Sequence, residues 1–416
     1  MDKGIRCSVP CWLMLIILLG MPLTNLIDEP NKILSQFDDQ PVSARAQTTW
    51  SGVIELTDSY TVNITDELII APCTVVKLPN AARIFVDGRI LVQGDASCSV
   101  TLDRVSTGLH YGLQFNQSSY GRGSVIDNLT IENSMYGITV YGSDPQLNNV
   151  TVVNPSRVGV DLFSNANPTI QDLLVDQSGR GFSYSDWRFG IGLSVGAGSA
   201  PIVERAVLSD ARIRGLNIWG DSGGIYRQIT IDNITAEGAL AISAGVWVED
   251  SRPLITNVTV DKSDYGILIR HIDDGGYTRA VVRDCLVTNS MYRGIYVDKA
   301  NHTNFTNYES ADFTNTVVRG TGGPNAKTSN IGFAAIEVNA TGAWFENTTI
   351  EESTTVGLRL YFVDSSTTFT NLTITNSGDP GQGAHSAGLA IRSSFFAPTF
   401  DGLEISGSPG PGISAT

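Results

Sequence analysis

The sequence predicts an all-β solenoid of stacked parallel strands, and three observations support that fold class. One phrase recurs from about residue 128: a polar residue, a short apolar strand, a gap, and then glycine followed by two apolar residues in alternation. The first strands of its first and eleventh occurrences begin at residues 129 and 403, which gives about 27 residues per coil. These strands are rich in β-branched residues, and almost no helical periodicity is present. A repeat of this length and composition is typical of a solenoid.

Stacking is required because a single coil has no core of its own. The first strands of the eleven coils begin at residues 129, 150, 173, 206, 234, 258, 285, 316, 348, 372 and 403. The second strands carry an inward column of apolar pairs: Ile138/Val140, Val160/Leu162, Leu193/Val195, Leu216/Ile218, Val246/Val248, Ile267/Ile269, Ile295/Val297, Ile336/Val338, Leu358/Leu360 and Leu389/Ile391. Each pair keeps the period of two that a strand requires, so neighbouring coils are expected to bury this column.

Two positions in the phrase have a predicted structural role. The glycine before each second strand is expected to form a bend with positive φ, which other residues adopt only at a cost. The position before each first strand is expected to form an inward ladder in which amides hydrogen-bond from coil to coil. The ladder consists of Asn128, Asn149, Asn233, Asn257, Asn315, Asn347 and Asn371, with Asp172 and Asp284 in the same column.

Six of these ladder asparagines also begin N-x-T sequons, so glycosylation is the alternative role for them. A buried amide cannot carry a glycan, and the inward ladder is therefore the favoured interpretation. Asn301 and Asn304 lie in a polar loop instead, and they are the predicted glycosylation sites.

The segment from Asn128 to Val140 reads NLTIENSMYGITV, and it resembles the coil of the pectin-lyase-like superfamily. The segments 68–78 and 82–95 are similar to the opening coils of exported proteins of that kind. The resemblance covers about residues 50 to 416 and implies a right-handed parallel β-helix with three parallel sheets. The superfamily's catalytic motifs are absent, since four histidines occur and none repeats in a column, so no catalytic residue can be carried over.

The sequence divides into three parts. Residues 1–22 contain basic residues before an eleven-residue apolar run, too short to span a bilayer but suited to a signal peptide, with a short retained anchor as the alternative. Residues 23–48 form an acidic linker, and residues 49–416 form the β-helix, which is expected to continue or to be capped beyond 416 because the chain ends halfway through a coil. A secreted or cell-surface protein follows from this division.

An oxidising compartment favours disulfide bonds. Cys73 and Cys98 are 25 residues apart, about one coil, and are predicted to pair. Cys285 lies in an apolar run and is expected to be a core residue rather than a reactive thiol.

Charge excludes some partners. The chain has 27 basic and 42 acidic residues and a net charge of −15, which argues against binding to nucleic acid or to anionic membrane surfaces. Membrane contact is expected only through the N-terminal segment or through an anchor that follows the sequence. The expected partner is an extracellular glycan or a cell-surface component.

Alternate residues of the second strands point outward and form two columns. The near column, two residues after each glycine position, is Thr139, Asp161, Ser194, Asn217, Trp247, Leu268, Tyr296, Glu337, Arg359 and Ala390. The far column, four residues after it, is Tyr141, Phe163, Gly196, Trp219, Glu249, Arg270, Asp298, Asn339, Tyr361 and Arg392. Predicted to stack on sugar rings are Trp219, Trp247, Tyr296 and Tyr361, together with Trp187 from a loop beside this face. The alternative is that these rings pack on one another up the sheet.

Charged residues of the far column are the catalytic candidates. Glu249, Arg270 and Asp298 occupy successive coils, so the two carboxylates would be ~9.6 Å apart. That distance is at the far limit for an inverting glycosidase, and Arg270 between them would keep both ionised, so a solvated ion-pair ladder is favoured. Asp273 and Asp274 are a weak candidate for a Ca2+ site, the alternative being an ordinary turn. No other cofactor is expected.

The function expected from these features is an exported or cell-surface β-helix module that binds extracellular polysaccharide, or mediates surface attachment, without catalysis. The alternative is a polysaccharide lyase, glycoside hydrolase or uronate epimerase that acts on the same face. A purely structural spacer is the third hypothesis.

Overall fold

The computed structural model describes residues 45–180, 189–236, 242–272, 278–299, 309–322, 333–363, 365–378, 387–392 and 397–415. The predicted signal peptide or anchor at 1–22 and nearly all of the predicted linker at 23–48 lie outside these ranges, and the first described strand begins at Ala46. Ala46–Thr416 form one compact unit. Among the described residues no helix is both long and apolar enough to cross a membrane.

Within the described ranges the strands form two sheets. The first has fourteen strands: Tyr60–Val62, Ile84–Val86, Leu113–Phe115, Tyr136–Tyr141, Val158–Phe163, Ile191–Val195, Arg214–Trp219, Ala244–Glu249, Tyr265–His271, Arg293–Lys299, Ala334–Asn339, Val356–Tyr361, Leu389–Arg392 and Ile413–Ala415. The second has eighteen: Ala46–Trp50, Val53–Glu55, Asp66–Ile70, Val75–Leu78, Arg89–Gln93, Val100–Arg104, Val125–Glu132, Gln146–Val153, Thr169–Asp176, Ile202–Ser209, Ile225–Ile234, Leu254–Ser263, Ala280–Arg283, Leu286–Thr288, Glu309–Arg319, Gly342–Glu351, Thr368–Thr375 and Thr399–Ser406. Consecutive coils pair in parallel, as Tyr136–Tyr141 does with Val158–Phe163.

Two left-handed residues bend each of eleven coils in the described part of the chain, and they are always five positions apart. The first column is Asn128, Asn149, Asp172, Arg205, Gln228, Asn257, Asp284, Asn315, Asn347, Asn371 and Gly402. The second is Asn133, Asn154, Gln177, Asp210, Asn233, Lys262, Asn289, Gly320, Glu352, Asn376 and Gly407. The first column folds the eighteen-stranded sheet along its length, so each coil has three straight runs, for example 125–127, 129–132 and 136–141. The three predicted parallel faces are therefore present.

One coil boundary was predicted wrongly. The sequence prediction began a first strand at residue 234 and placed Asn233 in the first column. In the structure Ile229 pairs with Val258, so Gln228 occupies the first column and Asn233 the second. The Asn-Ile-Thr triplet at 233–235 imitates the start of a coil, whereas Gln228 does not.

The asparagine ladder exists, but it does not point inward. Asn347 donates to Asn315 at 3.1 Å, Asn371 donates to Asn347 at 3.0 Å, and Asn149 donates to Asn128. Five first-column asparagines are exposed: Asn149, Asn257, Asn315, Asn347 and Asn371. A left-handed residue turns the chain at the corner of the coil, where its side chain faces solvent, so burial is no longer an argument against glycosylation there.

The recurrent glycine before each second strand has a steric role, and the predicted positive φ is wrong. The left-handed glycines of the described residues include none of this column. A Cβ on Gly245 would lie 2.2 Å from Val260 Cγ1 and 2.8 Å from the carbonyl oxygen of Gly266. A methyl group at Gly245 would force these neighbours to move, whereas the coil that carries Ala335 accommodates alanine at the same position.

The inward columns form one continuous core. The apolar pairs of the second strands are buried from Ile138 to Leu389, as predicted. Aromatic rings add a second stack inside the coils: Phe313, Phe345, Phe369 and Phe400 lie 4.7, 5.0 and 5.1 Å apart between successive ring centroids.

Both cysteine predictions agree with the structure. Cys73 and Cys98 form a disulfide bond. Cys285 is buried, and burial raises the pKa of its thiol to about 11, which is consistent with a core residue.

Candidate functional site

The outer face of the fourteen-stranded sheet carries the near and far columns in the predicted register. Trp247 pairs with Leu268 and Glu337 with Arg359 in the near column. Glu249 pairs with Arg270, and Arg270 with Asp298, in the far column. The sequence therefore predicted which residues share this face.

A third outward column lies beside them and was not predicted. This pre-glycine column consists of Tyr136, Val158, Ile191, Arg214, Ala244, Tyr265, Arg293, Ala334 and Val356. The glycine that follows each of these residues has no partner in the strand pairing. The alternation of inward and outward side chains is therefore interrupted at the glycine and begins again after it. The residue before the glycine consequently points outward, and its side chain contacts the near column.

Trp247 is buried, with 5% of its surface exposed. The Arg214 guanidinium lies 3.9 Å from its ring centroid, and its indole Nε1 donates to Glu249 at 3.1 Å. The ring packs in an outer cluster with Tyr265 and Leu268. A ring with so little exposed surface has no open face for a sugar, so Trp247 belongs to the packing alternative.

Tyr296 belongs to the same outer cluster. It is partly buried, its ring centroid lies 6.0 Å from that of Tyr265, and the Arg293 guanidinium lies 4.5 Å from its ring. Burial raises the pKa of the Tyr296 phenol, and the charges of Asp298 and Glu337 raise it further.

Three aromatic rings of the far column are exposed. Tyr141 has 41% of its surface exposed, and Trp219 and Tyr361 have 36% each. The Trp219 ring lies against Gly196 of the preceding coil, where a Cβ would come within 2.3 Å of it. Tyr361 packs against Phe362 with ring centroids 4.1 Å apart. Trp187, the remaining predicted aromatic, lies outside the described residues.

The catalytic candidates form a different set of contacts from the predicted ladder. Arg270 donates to Asp298 at 3.2 Å, and Asp298 also accepts from Asn339 at 2.9 Å. Glu249 accepts from Trp247 instead. Asp298 is buried rather than solvated, so the pair is a sheltered charge-assisted contact.

A larger ionic cluster was not predicted, because its central arginine belongs to the pre-glycine column. Arg293 donates to Glu337 at 2.9 Å and to the Tyr265 hydroxyl at 2.7 Å. Arg359 donates to the same Glu337 carboxylate at 3.3 Å. Burial lowers the pKa of Arg293, but the opposing charge of Glu337 outweighs it and raises that pKa overall. Glu337 is thus the shared acceptor of two charge-assisted hydrogen-bond contacts.

A polar row occupies the near column on four successive coils: Thr139, Asp161, Ser194 and Asn217. Burial raises the pKa of Asp161 to about 6, against a hydrogen bond from Ser194 that lowers it. Arg214 donates to Asn217 Oδ1 at 2.6 Å, while Asn217 Nδ2 is buried with no hydrogen-bond partner. Burial also lowers the pKa of Arg214 to about 10, although nearby Glu249 raises it.

The predicted metal and glycosylation sites lie in segments of the chain that the structure does not describe. Asp273 and Asp274, the weak Ca2+ candidates, and Asn301 and Asn304, the predicted glycosylation sites, all lie outside the described ranges. Among the residues that the structure does describe, no group of three or more His, Cys, Asp or Glu side chains could hold a metal ion.

The parallel pairing, the three faces and the stacked core define the class of this protein as a parallel β-helix. The family model described as "Right handed beta helix region" matches residues 88–253 and 244–415. The chain belongs to that family, and the right-handed coil implied by the resemblance to the pectin-lyase-like superfamily is confirmed. No curated protein sequence matches the chain.

Solved structures with this fold include several carbohydrate-active enzymes. The alginate lyase from Paenibacillus sp. str. FPU-7 is 14% identical, with 74% of this chain and 97% of that chain covered and a TM-score of 0.36. The mannuronan C-5 epimerase AlgE4 A-module of Azotobacter vinelandii is 13% identical, with 88% and 91% covered and a TM-score of 0.42. The catalytic unit of the GH87 alpha-1,3-glucanase from Streptomyces thermodiastaticus strain HF3-3 is 13% identical, with 89% and 63% covered and a TM-score of 0.45. This chain thus spans less than two thirds of that glucanase unit, and these likenesses carry no argument about activity.

Proposed function

We propose that this protein is an exported or cell-surface module whose fourteen-stranded sheet binds an extracellular polysaccharide, or mediates surface attachment through one, without catalysis. The observation that carries the proposal is the set of exposed rings, Tyr141, Trp219 and Tyr361, along one outward column of one regular sheet. Exposed aromatic rings spaced along one long sheet suit an extended sugar polymer, because each ring can stack on a sugar ring.

The carboxylates of this face support binding rather than catalysis. Asp298 is bonded to Arg270 and Asn339, and Glu337 is bonded to Arg293 and Arg359. Carboxylates that already accept charge-assisted hydrogen bonds from arginine are structural contacts of this face.

Export is supported by two features of different origin. The N-terminal apolar run has the length of a signal-peptide core. The disulfide bond between Cys73 and Cys98 is of a kind that persists in oxidising compartments.

A polysaccharide lyase, glycoside hydrolase or uronate epimerase is the second candidate, and one observation favours it. The pKa of Asp161, raised to about 6 by burial, is in the range that suits a general acid.

Retention on a panel of immobilised neutral and uronate polysaccharides, with and without Ca2+, tests the proposal. Trp219→Ala should weaken binding roughly tenfold, which corresponds to one lost aromatic contact. Trp344→Ala is the matched control, because Trp344 is 39% exposed and lies on the other sheet.

Two results would overturn the proposal. If the protein is retained on none of the polysaccharides, the binding hypothesis is contradicted and the spacer hypothesis is favoured. New reducing ends or unsaturated products, lost in Asp161→Asn, would replace the non-catalytic function with the enzymatic one.

A further inference from the structure

Several asparagines of the first left-handed column begin N-x-T sequons, and their corner of the coil faces solvent. They are Asn128, Asn149, Asn257, Asn347 and Asn371. A sequon asparagine carries a glycan in a folded protein only where its side chain reaches the surface. Asn128 is half-buried and the other four are exposed, so exposure alone does not select one position.

Contacts with the neighbouring coils separate Asn257 from the other exposed sequons. The Asn347 amide is held on both sides, because it donates to Asn315 at 3.1 Å and accepts from Asn371 at 3.0 Å. Asn149 and Asn371 each donate to the asparagine of the preceding coil. Within the described part of the chain, the Asn257 side chain makes no hydrogen bond, although it occupies the same column. The ladder is therefore interrupted at this asparagine.

The residues before and after Asn257 in the column explain the interruption. Gln228 precedes it, and a glutamine amide lies one methylene farther from the backbone than an asparagine amide. Asp284 follows it, and a carboxylate has no hydrogen to donate to Asn257 Oδ1. Asp284 accepts instead from Asn315 at 2.9 Å. Both flanking side chains are exposed, so a substituent on Asn257 Nδ2 would displace no hydrogen bond of the folded protein.

We infer that Asn257 carries an N-linked oligosaccharide. The inference rests on export, which is part of the proposed function, and the donor is an oligosaccharide joined through its C1 to a lipid pyrophosphate. In the transfer a bond forms between Asn257 Nδ2 and C1, and the bond from C1 to the pyrophosphate oxygen breaks. The electron pair of that bond leaves with the pyrophosphate, and a base of the transferase takes one Nδ2 proton.

Attachment has to precede closure of this coil. Val258, the middle residue of the sequon, is 1% exposed, and Asn257 has a left-handed φ of 58°. An enzyme that binds residues 257–259 as an extended segment has no access to Val258 in the folded coil. The glycan then stays outside at the corner while Val258 enters the core.

The position of Asn257 leaves the proposed binding surface uncovered. Asn257 lies in the strand Leu254–Ser263 of the eighteen-stranded sheet, whereas the exposed rings Trp219 and Tyr361 lie on the fourteen-stranded sheet. Loss of the glycan should therefore leave retention on polysaccharide unchanged.

Two variants remove the sequon in different ways. Asn257→Gln removes the acceptor nitrogen, and glutamine is already accepted in this column at Gln228, where φ is 57°. Thr259→Val retains Asn257 and removes the sequon hydroxyl, and the next strand places the apolar Leu286 beside Thr259. Thr259→Ser is the matched control, because it keeps the sequon.

The full chain, with its N-terminal segment, is produced in cells that attach N-glycans to N-x-T sequons and is recovered after export. An amidase that removes the glycan and leaves aspartate marks each modified asparagine, and mass spectrometry of peptides locates it. Thermal melting establishes that each variant folds.

Asn339 is a control within the same molecule. It also begins an N-x-T sequon, but its Nδ2 donates to Asp298 at 2.9 Å and to the Tyr296 hydroxyl at 3.4 Å. Both amide hydrogens are used, so a glycan there would displace a contact of the folded sheet. Asn339 should be unmodified in the exported protein, and equal modification of Asn339 and Asn257 would overturn the argument from the free amide.

The expected result is an oligosaccharide on Asn257 in the parent and in Thr259→Ser, and none there in Asn257→Gln or Thr259→Val. Glycans on Asn301 or Asn304 with an unmodified Asn257 would overturn the inference and leave export in place. If no sequon is modified although Cys73 and Cys98 are joined, the inference alone is overturned. If no sequon is modified and both cysteines are free thiols, export is overturned with it.

Discussion

Asp161 is a residue whose folded environment changes its chemistry, because burial raises the pKa of its carboxyl from 3.8 to about 6. The folded state therefore keeps the proton more tightly than the unfolded chain does. Stability from this group is fully present below pH ~4 and is lost as the pH rises through ~6. The loss is at most about 3 kcal/mol.

Asp161→Asn should remove that pH dependence, since asparagine resembles the protonated carboxyl and does not ionise. The variant should melt at the same temperature as the parent at about pH 4 and a few degrees higher at about pH 7.5. Melting curves by circular dichroism at both pH values measure the difference. If the melting temperatures of the two proteins change in parallel across the whole pH range, the pKa of the Asp161 carboxyl is not shifted in the folded state.

Truncation of Trp219 and of Trp247 should cost different amounts of stability. Trp247→Ala should cost about 3 kcal/mol of stability, because it removes a buried ring that packs against Arg214 and leaves Glu249 without its indole donor. Trp219→Ala should cost less than about 1 kcal/mol, because that ring is exposed. Thermal melting of the two variants compares these costs, and equal destabilisation would contradict the assignment of Trp247 to packing and Trp219 to the surface.

The sequence predicted the near and far columns correctly because alternation along a strand depends on the backbone alone. It did not predict which aromatic rings are exposed. The burial of Trp247 depends on Arg214, a residue whose outward direction follows from the unpaired glycine after it. The Arg293 and Glu337 contact was missed for the same reason.

At the scale of the element, the glycine column lets the second strand begin close to the side chains and backbone at the corner of the coil. Gly245→Ala should destabilise the protein by about 1 to 3 kcal/mol, because the new methyl group would meet Val260 Cγ1 at 2.2 Å. In a Val260→Ala background the same change should cost about 1 kcal/mol less, since that methyl is gone, while the contact with the Gly266 carbonyl persists. A double-mutant cycle of melting temperatures measures the coupling, and additive effects would argue against a steric role.

Glycine at a corner has two possible explanations, positive φ or lack of space, and both demand the same residue. A single sequence therefore predicts the glycine column without its cause. The left-handed positions are harder to locate from the sequence than the glycine column, because Asn, Asp, Gln, Arg and Lys all occupy them here. The displaced boundary at Asn233 follows from that mixture, since only its local triplet resembles a coil start.

At the scale of the whole molecule, the architecture was predictable because each coil repeats the same solution and only neighbouring coils need to match. The internal phenylalanine stack was not predicted, because Phe313, Phe345 and Phe369 precede the first left-handed corner, outside the phrase that defined the repeat. Their rings connect coils along the axis, so stability in this region depends on the neighbours as well as on each coil.

Phe345→Ala tests that nearest-neighbour character. The change removes a fully buried ring between Phe313 and Phe369 and should cost about 3 kcal/mol or more. Because coils contact only their neighbours, backbone amides between about residues 280 and 406 should lose hydrogen-exchange protection, whereas amides of the coils before residue 250 should keep theirs. Trp344→Ala is the control, because Trp344 is the adjacent but exposed residue, and it should leave protection unchanged. An equal loss of protection in every coil would mean that the β-helix unfolds as a single cooperative unit, so that the additive description of its coils does not apply.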